Sequence, residues 1–151
     1  MSRTSLLDVN VLVALFVPDH VHHDLAHDWF ADHRNDGWAT CAVTENGFVR
    51  VLASTGHSAA LSRPADALDR LRTFCASGHH TFWSDTVSLR DKAVFNPAYI
   101  RGDRQVTDVY LLGLAKKMGG RLATFDRAIP LASVVGATTQ TMAVISSAAS
   151  E

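Results

Sequence analysis

Apolar residues fall in short blocks along this chain, and the blocks alternate between two periods. The first runs from Leu6 to Leu15 and is broken only by Asp8 and Asn10. Its opening residues, 4–8, read as a short buried strand. Residues 10–16 then read as a helix that Pro18 stops. Residues 21–33 carry Leu25, Trp29 and Phe30 at helical spacing, with His22, Asp24, Asp28 and Asp32 on the other faces. Asn35, Asp36 and Gly37 signal a turn before a strand at 38–40. Residues 43–54 are helical again, with Glu45, Phe48, Val49 and Leu52 on one stripe. A helix opening at 62–64, with Pro64 in its first turn, would bury Leu68, Leu71, Phe74 and Cys75. A strand follows at 79–83, then a helix over 86–94 and a polar loop over 96–103. Residues 106–118 form a nearly all-apolar helix that ends in Lys116, Lys117 and Gly119. Strands at 121–124 and 141–145 complete the pattern. Strands alternating with helices predict an α/β fold: one domain over 1–145, a central parallel five-stranded sheet with helices on both faces, and a frayed tail over 146–151.

With 151 residues, 47% hydrophobic and 19% charged, the chain is long and apolar enough for one packed core. Its net charge of −1 gives no global basic signature for nucleic acid or membrane. The first apolar block is too short and too polar for a membrane span. Two cysteines, Cys41 and Cys75, sit in apolar or helical contexts and suit reduced thiols rather than a disulfide framework. A cytoplasmic protein is expected.

Four acids change the picture. Asp8 follows Leu6 and Leu7, Glu45 sits on an apolar helix stripe, Asp108 lies near the start of the most apolar helix, and Asp126 follows a strand. Burying a lone carboxylate is costly unless something pairs with it. Asp8 and Asp126 fall at the C-terminal ends of strands, where open α/β sheets place their sites. Four carboxylates meeting without a cation would repel one another. Oxygen-only ligands suit Mg²⁺ or Mn²⁺. Set these four aside, and the rest of the chain is mildly positive, as suits a phosphate backbone. Taken singly, each acid is equally well read as a helix cap or an ion-pair partner.

The segments around Asp8 and Asn10, Thr44 and Glu45, Thr107 and Asp108, and Thr124 and Asp126 resemble the acidic motifs of PIN domains, and more narrowly those of VapC toxins from bacterial toxin–antitoxin pairs. The resemblance covers residues 6–145 in order. It implies the strand order 3-2-1-4-5 and a Mg²⁺- or Mn²⁺-dependent endoribonuclease acting as a toxin. It makes Asp8, Glu45, Asp108 and Asp126 the metal-binding quartet. Asn10 would orient the first acid, and Thr124 would hydrogen-bond a carboxylate or a water. The partners implied are an RNA substrate, a small VapB-like antitoxin and a second copy of the chain.

Rival readings have distinct signatures. An Asp-nucleophile phosphotransfer domain would want a second Asp where Asn10 stands. A non-catalytic RNA-binding member of the fold should lack one of the acids. A DNA nuclease of the same fold differs in substrate alone. Arg50, Arg101, Arg104, Lys116, Lys117, Arg121 and Arg127 are candidates for phosphate contact. His20, His22, His23 and His27 are read as the polar side of a helix rather than as metal ligands. Asp103 is read as loop surface. The stripe of Leu25, Trp29 and Phe30 is a candidate for a partly open partner surface.

Overall fold

In the computed structural model, residues 3–54 and 63–147 are described. Five parallel strands are found there: β1 (Ser5–Leu7), β2 (Trp38–Cys41), β3 (His80–Trp83), β4 (Arg121–Thr124) and β5 (Met142–Val144). Their order is β3-β2-β1-β4-β5. The expected strand order is therefore present, and strand order reverses between β1 and β4. There Leu6 pairs with Leu122 and Leu7 with Ala123.

Alternation along the strands splits the core in two. Successive side chains point to opposite faces. Leu7 and Trp38 thus join one apolar cluster, while Leu6, Ala39 and Leu122 join the other. The first face is covered by α1 (Val9–Phe16), α2 (His23–His33), α3 (Ala42–Ser54) and α4 (Pro64–Cys75). The second is covered by α5 (Val106–Lys117) together with Phe95, Ile129 and Val134. Leu6 and Leu7 are both fully buried, which contributes about 1.5–3 kcal/mol each.

The helices form where caps and periodicity agree. Asp8 caps α1, accepting from the Val9 N–H at 2.8 Å. Pro64 opens α4. Lys116 and Lys117 complement the C-terminal dipole of α5, and Gly119, with φ 73°, makes the turn into β4. Helices α1 and α3 cross closely at Gly47, where a Cβ would lie 2.7 Å from Val9 Cγ2.

Two expectations are corrected. The helix expected over 86–94 is absent, and that stretch is a run of turns. Ser88 Oγ and Asp91 Oδ1 accept from the Arg90 and Ala93 N–H groups, and such local bonds compete with a helical ladder. Leu68 is 45% exposed, because α4 buries Ala67 and Leu71 instead. The Leu25, Trp29 and Phe30 stripe is buried at Phe30, which is 6% exposed, and partly open at Leu25 and Trp29, which are half-buried against the core. The helix stop expected at 54–56 lies partly outside the described residues, as does the tail. No helix among the described residues is long and apolar enough to cross a membrane.

Candidate active site

The site is built where β1 and β4 end side by side. The Asp8 N–H donates to the Ala123 carbonyl at 2.9 Å, so the residue that leaves β1 is still held by β4. Its side chain is 5% exposed. One carboxylate oxygen accepts from the Val9 N–H at 2.8 Å, and the other accepts from the Thr124 hydroxyl at 2.7 Å. The same Thr124 oxygen accepts the Asp126 N–H at 3.1 Å. Thr124 thus ties the first acid to the last across the strand-order reversal. Asp126 in turn accepts from the Ala128 N–H at 2.8 Å, which fixes the turn after β4.

Asp108 enters from the first turn of α5. Burial pushes its carboxyl up to about 7, repulsion from Asp8 and Asp126 adds to this, and a hydrogen bond to Asp126 favours the protonated form further. Burial also raises Asp8; the Thr124 and Val9 hydrogen bonds oppose that, and Asp126 reinforces it. Two carboxylic groups joined by one proton are the expected response to crowded negative charge. Asn10, in the first turn of α1, has a buried Oδ1 with no hydrogen-bond partner among the described residues.

A cleft of about 480 Å³ opens beside these groups, lined by Asp8, Asp108, Thr107, Asn46, Gly47 and Arg50 among others. A second opening, about 360 Å³, joins Asp8, Asn10, His20 and Asp108. Gly47 gives this region room, since any side chain there would strike Val9.

Asp8, Asp108, Asp126 and Thr124 are thus neighbours, with Asn10 along the second opening, and the three carboxylates do not all lie within 4.8 Å of one another. Glu45 is placed differently. Its Oε2 accepts from the Thr40 hydroxyl at 2.7 Å, and that hydroxyl also meets His80 Nε2 at 2.8 Å. Cys75 completes this neighbourhood: burial pushes its thiol up to about 11, Glu45 adds to this, and Thr40 opposes it. Burial lowers His80, and Glu45 opposes that shift. The face of α3 that lines the cleft carries Ala42, Asn46 and Arg50, one turn apart. Asn46 went unremarked in the sequence, although its i+4 spacing from Ala42 and to Arg50 was readable. The contacts of Thr40, Cys75 and His80 could not be read that way, because they come from three separate segments.

Other candidates fall elsewhere. Arg121 starts β4, at the opposite end of the strand from the site, and donates to Ser5 Oγ at 2.9 Å. Lys116 and Lys117 close α5 at the end opposite Asp108. Asp103 is exposed in a short 3-10 turn. His23 and His27 donate to the Ala14 and Leu15 carbonyls, both at 2.7 Å, and so satisfy the C-terminal end of α1. Both cysteines are free, Cys41 buried and Cys75 half-buried.

Comparison with known proteins agrees with this geometry. A family model described as PIN domain matches residues 5–134. The chain is 45% identical to Ribonuclease VapC44 of Mycobacterium tuberculosis (strain ATCC 25618 / H37Rv) over 141 residues, which is 93% of this chain and 99% of the relative. It is 42% identical to Ribonuclease VapC39 of the same strain over 83% of this chain and 91% of the relative. It is 46% identical to Ribonuclease VapC38, also of that strain, over 83% and 86% respectively. The strand order, the carboxylates at the ends of β1 and β4, and these matches lead to one assignment: the chain belongs to the PIN-domain family and is of the VapC type.

Proposed function

We propose that this chain is an endoribonuclease that hydrolyses RNA phosphodiesters with a bound divalent cation, and that it serves as the toxin of a toxin–antitoxin pair. The observation that carries the reading is the meeting of Asp8, Asp108 and Asp126 at the strand-order reversal. Its relatives named as ribonucleases supply the substrate class.

The residues present fit a hard cation. Asn10 Oδ1 is buried without a partner among the described residues, the burial and like-charge repulsion that raise Asp108 are what a cation would relieve, and the donors are all oxygen. Asp8, Asp108 and Asp126 would hold the ion, and Mg²⁺ or Mn²⁺ is the proposed identity. Glu45 enters the proposal as the fourth acid on the strength of the family motif, its carboxylate exchanging Thr40 for the cleft. When bound, the cation supplies Lewis acidity, acidifying an attacking water and offsetting the charge that builds on the phosphate.

The side chains do the rest. Thr124 and the Val9 N–H keep Asp8 in one orientation. Asn10 presents an acceptor for a water proton. Arg50, at the cleft wall, is placed to meet a phosphate oxygen. The partners proposed are RNA, a VapB-like antitoxin and a second copy of the chain.

The test is Asp8→Asn assayed on RNA with Mg²⁺. Cleavage should fall to background while the far-UV circular dichroism spectrum is unchanged. Cleavage at the wild-type rate would falsify the assignment. Single-stranded DNA assayed in parallel separates this reading from a DNA nuclease of the same fold.

A further inference from the structure

Next to the acidic cleft, side chains of three different kinds converge on one hydroxyl. Thr40, in β2, is fully buried. It meets Glu45 Oε2 at 2.7 Å and His80 Nε2 at 2.8 Å. A hydroxyl has one proton to give. Because the carboxylate can only accept, Thr40 donates to Glu45 and accepts from Nε2–H. Cys75, the last residue of α4, adds its thiol to the same hydroxyl. One ligand atom each from Glu45, Cys75 and His80 lies within 4.8 Å of the other two; no other group of three or more His, Cys, Asp or Glu among the described residues meets that criterion.

We propose that Glu45, Cys75 and His80 form a second metal site, one for a divalent transition metal of the zinc class. A carboxylate oxygen, an imidazole nitrogen and a thiolate are the donors such an ion takes, and three protein ligands leave its fourth position open. Mg²⁺ has little use for sulfur, so the donor set separates this site from the cleft.

The ligands are also held as a metal site needs. His80 sits in β3, paired with Trp38 of β2, and its ring lies 4.6 Å from the Trp38 ring. The chain reaches it through Gly78 at φ 113° and His79 at φ 66°, a left-handed turn that a non-glycine residue seldom adopts. Glu45 is in the first turn of α3. The Thr40 hydroxyl bonds the donor atoms Glu45 Oε2 and His80 Nε2 themselves, so a bound ion would take over those two contacts from it. All three are half-buried, and an opening of about 560 Å³ lined by Glu45, Arg50, Leu68 and Phe82 gives an ion a path. Binding exchanges the Cys75 thiol proton for the metal and releases it to solvent, while the carboxylate and neutral imidazole bind without net proton loss.

The site shares Glu45 with the proposed nuclease quartet, and it is tested on the full chain by metal alone, without reference to RNA cleavage. Protein stripped with chelator is titrated with Co²⁺ and then with Zn²⁺. A thiolate-to-cobalt charge-transfer band should appear and be displaced by Zn²⁺. Cys75→Ser should remove the band, and both Cys75→Ser and His80→Gln should weaken Zn²⁺ binding at least about a hundredfold. Asp8→Asn and Asp108→Asn should keep the band, so failure of the nuclease reading leaves this result standing. Cobalt binding with no sulfur band, or Zn²⁺ affinity unchanged in the folded His80→Gln protein, would overturn the proposal.

Discussion

Thr124 and Thr40 are both fully buried threonines within strands, and each holds its hydroxyl 2.7 Å from a carboxylate oxygen. What stands around them differs. Thr124 accepts a backbone N–H, and the groups beyond it are two more carboxyls. Thr40 faces an imidazole and a thiol. The first neighbourhood is one of like groups, and its strain is relieved by keeping a proton on Asp108. The second is one of unlike groups, where a donor is matched to each acceptor. A crowd of like charge requires something from outside; a satisfied network can hold its shape without it. The same device, a buried hydroxyl within a strand, therefore serves a crowd of like carboxyls and a network with its own internal balance.

The comparison is broken most severely by removing charge from the first cluster. Asp108→Asn should lower RNA cleavage in Mg²⁺ by at least about a hundredfold, since the loss is of an electrostatic element of the reaction. Steady-state cleavage of a labelled RNA measures it, and a rate within a fewfold of wild type would remove Asp108 from the proposed ligand set.

Thr124→Val keeps the shape and deletes the hydrogen bond. It serves one acceptor, the buried Asp8 carboxylate, and one donor, the half-buried Asp126 N–H, and the cost should be about 1–3 kcal/mol of stability, read from urea unfolding. Thr40→Val should cost less, because Glu45 and His80 are half-buried and can reach water. Equal losses would contradict the contrast drawn between the two clusters.

Acidity sharpens it further. Asp108 titrates near 7 in the fold, against 3.8 for the free side chain. The folded state therefore binds the extra proton, and metal-free stability should decline as pH rises from about 4 through 7. Asp8 is shifted in the same direction. Melting curves in chelator should show the decline, saturating Mg²⁺ should offset it, and Asp108→Asn should flatten it. The smallest effect expected is from Asn10→Ala, which removes an acceptor that has no protein partner. Its melting temperature should change little, while the concentration of Mg²⁺ needed for half-maximal cleavage should rise.

Much of this was legible in the sequence, and the reasons are local. Strand periodicity and the caps at Asp8, Pro64 and Lys116 act over a few residues, so the elements were readable within one or two positions. Parallel pairing of β1 with β4 was readable only through resemblance, because nothing local specifies a partner so distant in sequence. The segment over 86–94 misled because Ser88 and Asp91 bond their own backbone, which a periodicity count ignores. Glu45 misled in a subtler way. Its position on the stripe was right, but a helix position does not fix which neighbour a long side chain chooses, and Thr40 and His80 come from other strands. His23 and His27 were read as a polar face, and their work as caps for α1 depends on a turn the pattern does not describe.

The bond between Thr124 and Asp8 spans 116 residues of chain. That separation sets a clock. During synthesis Asp8 and α1 are made early, yet the hydroxyl and the two carboxyls that complete the centre are made late. Long-range parallel pairing is slow to form. A growing chain of this kind passes through most of its synthesis without an assembled centre, and it becomes capable of cutting RNA only when β4 docks beside β1.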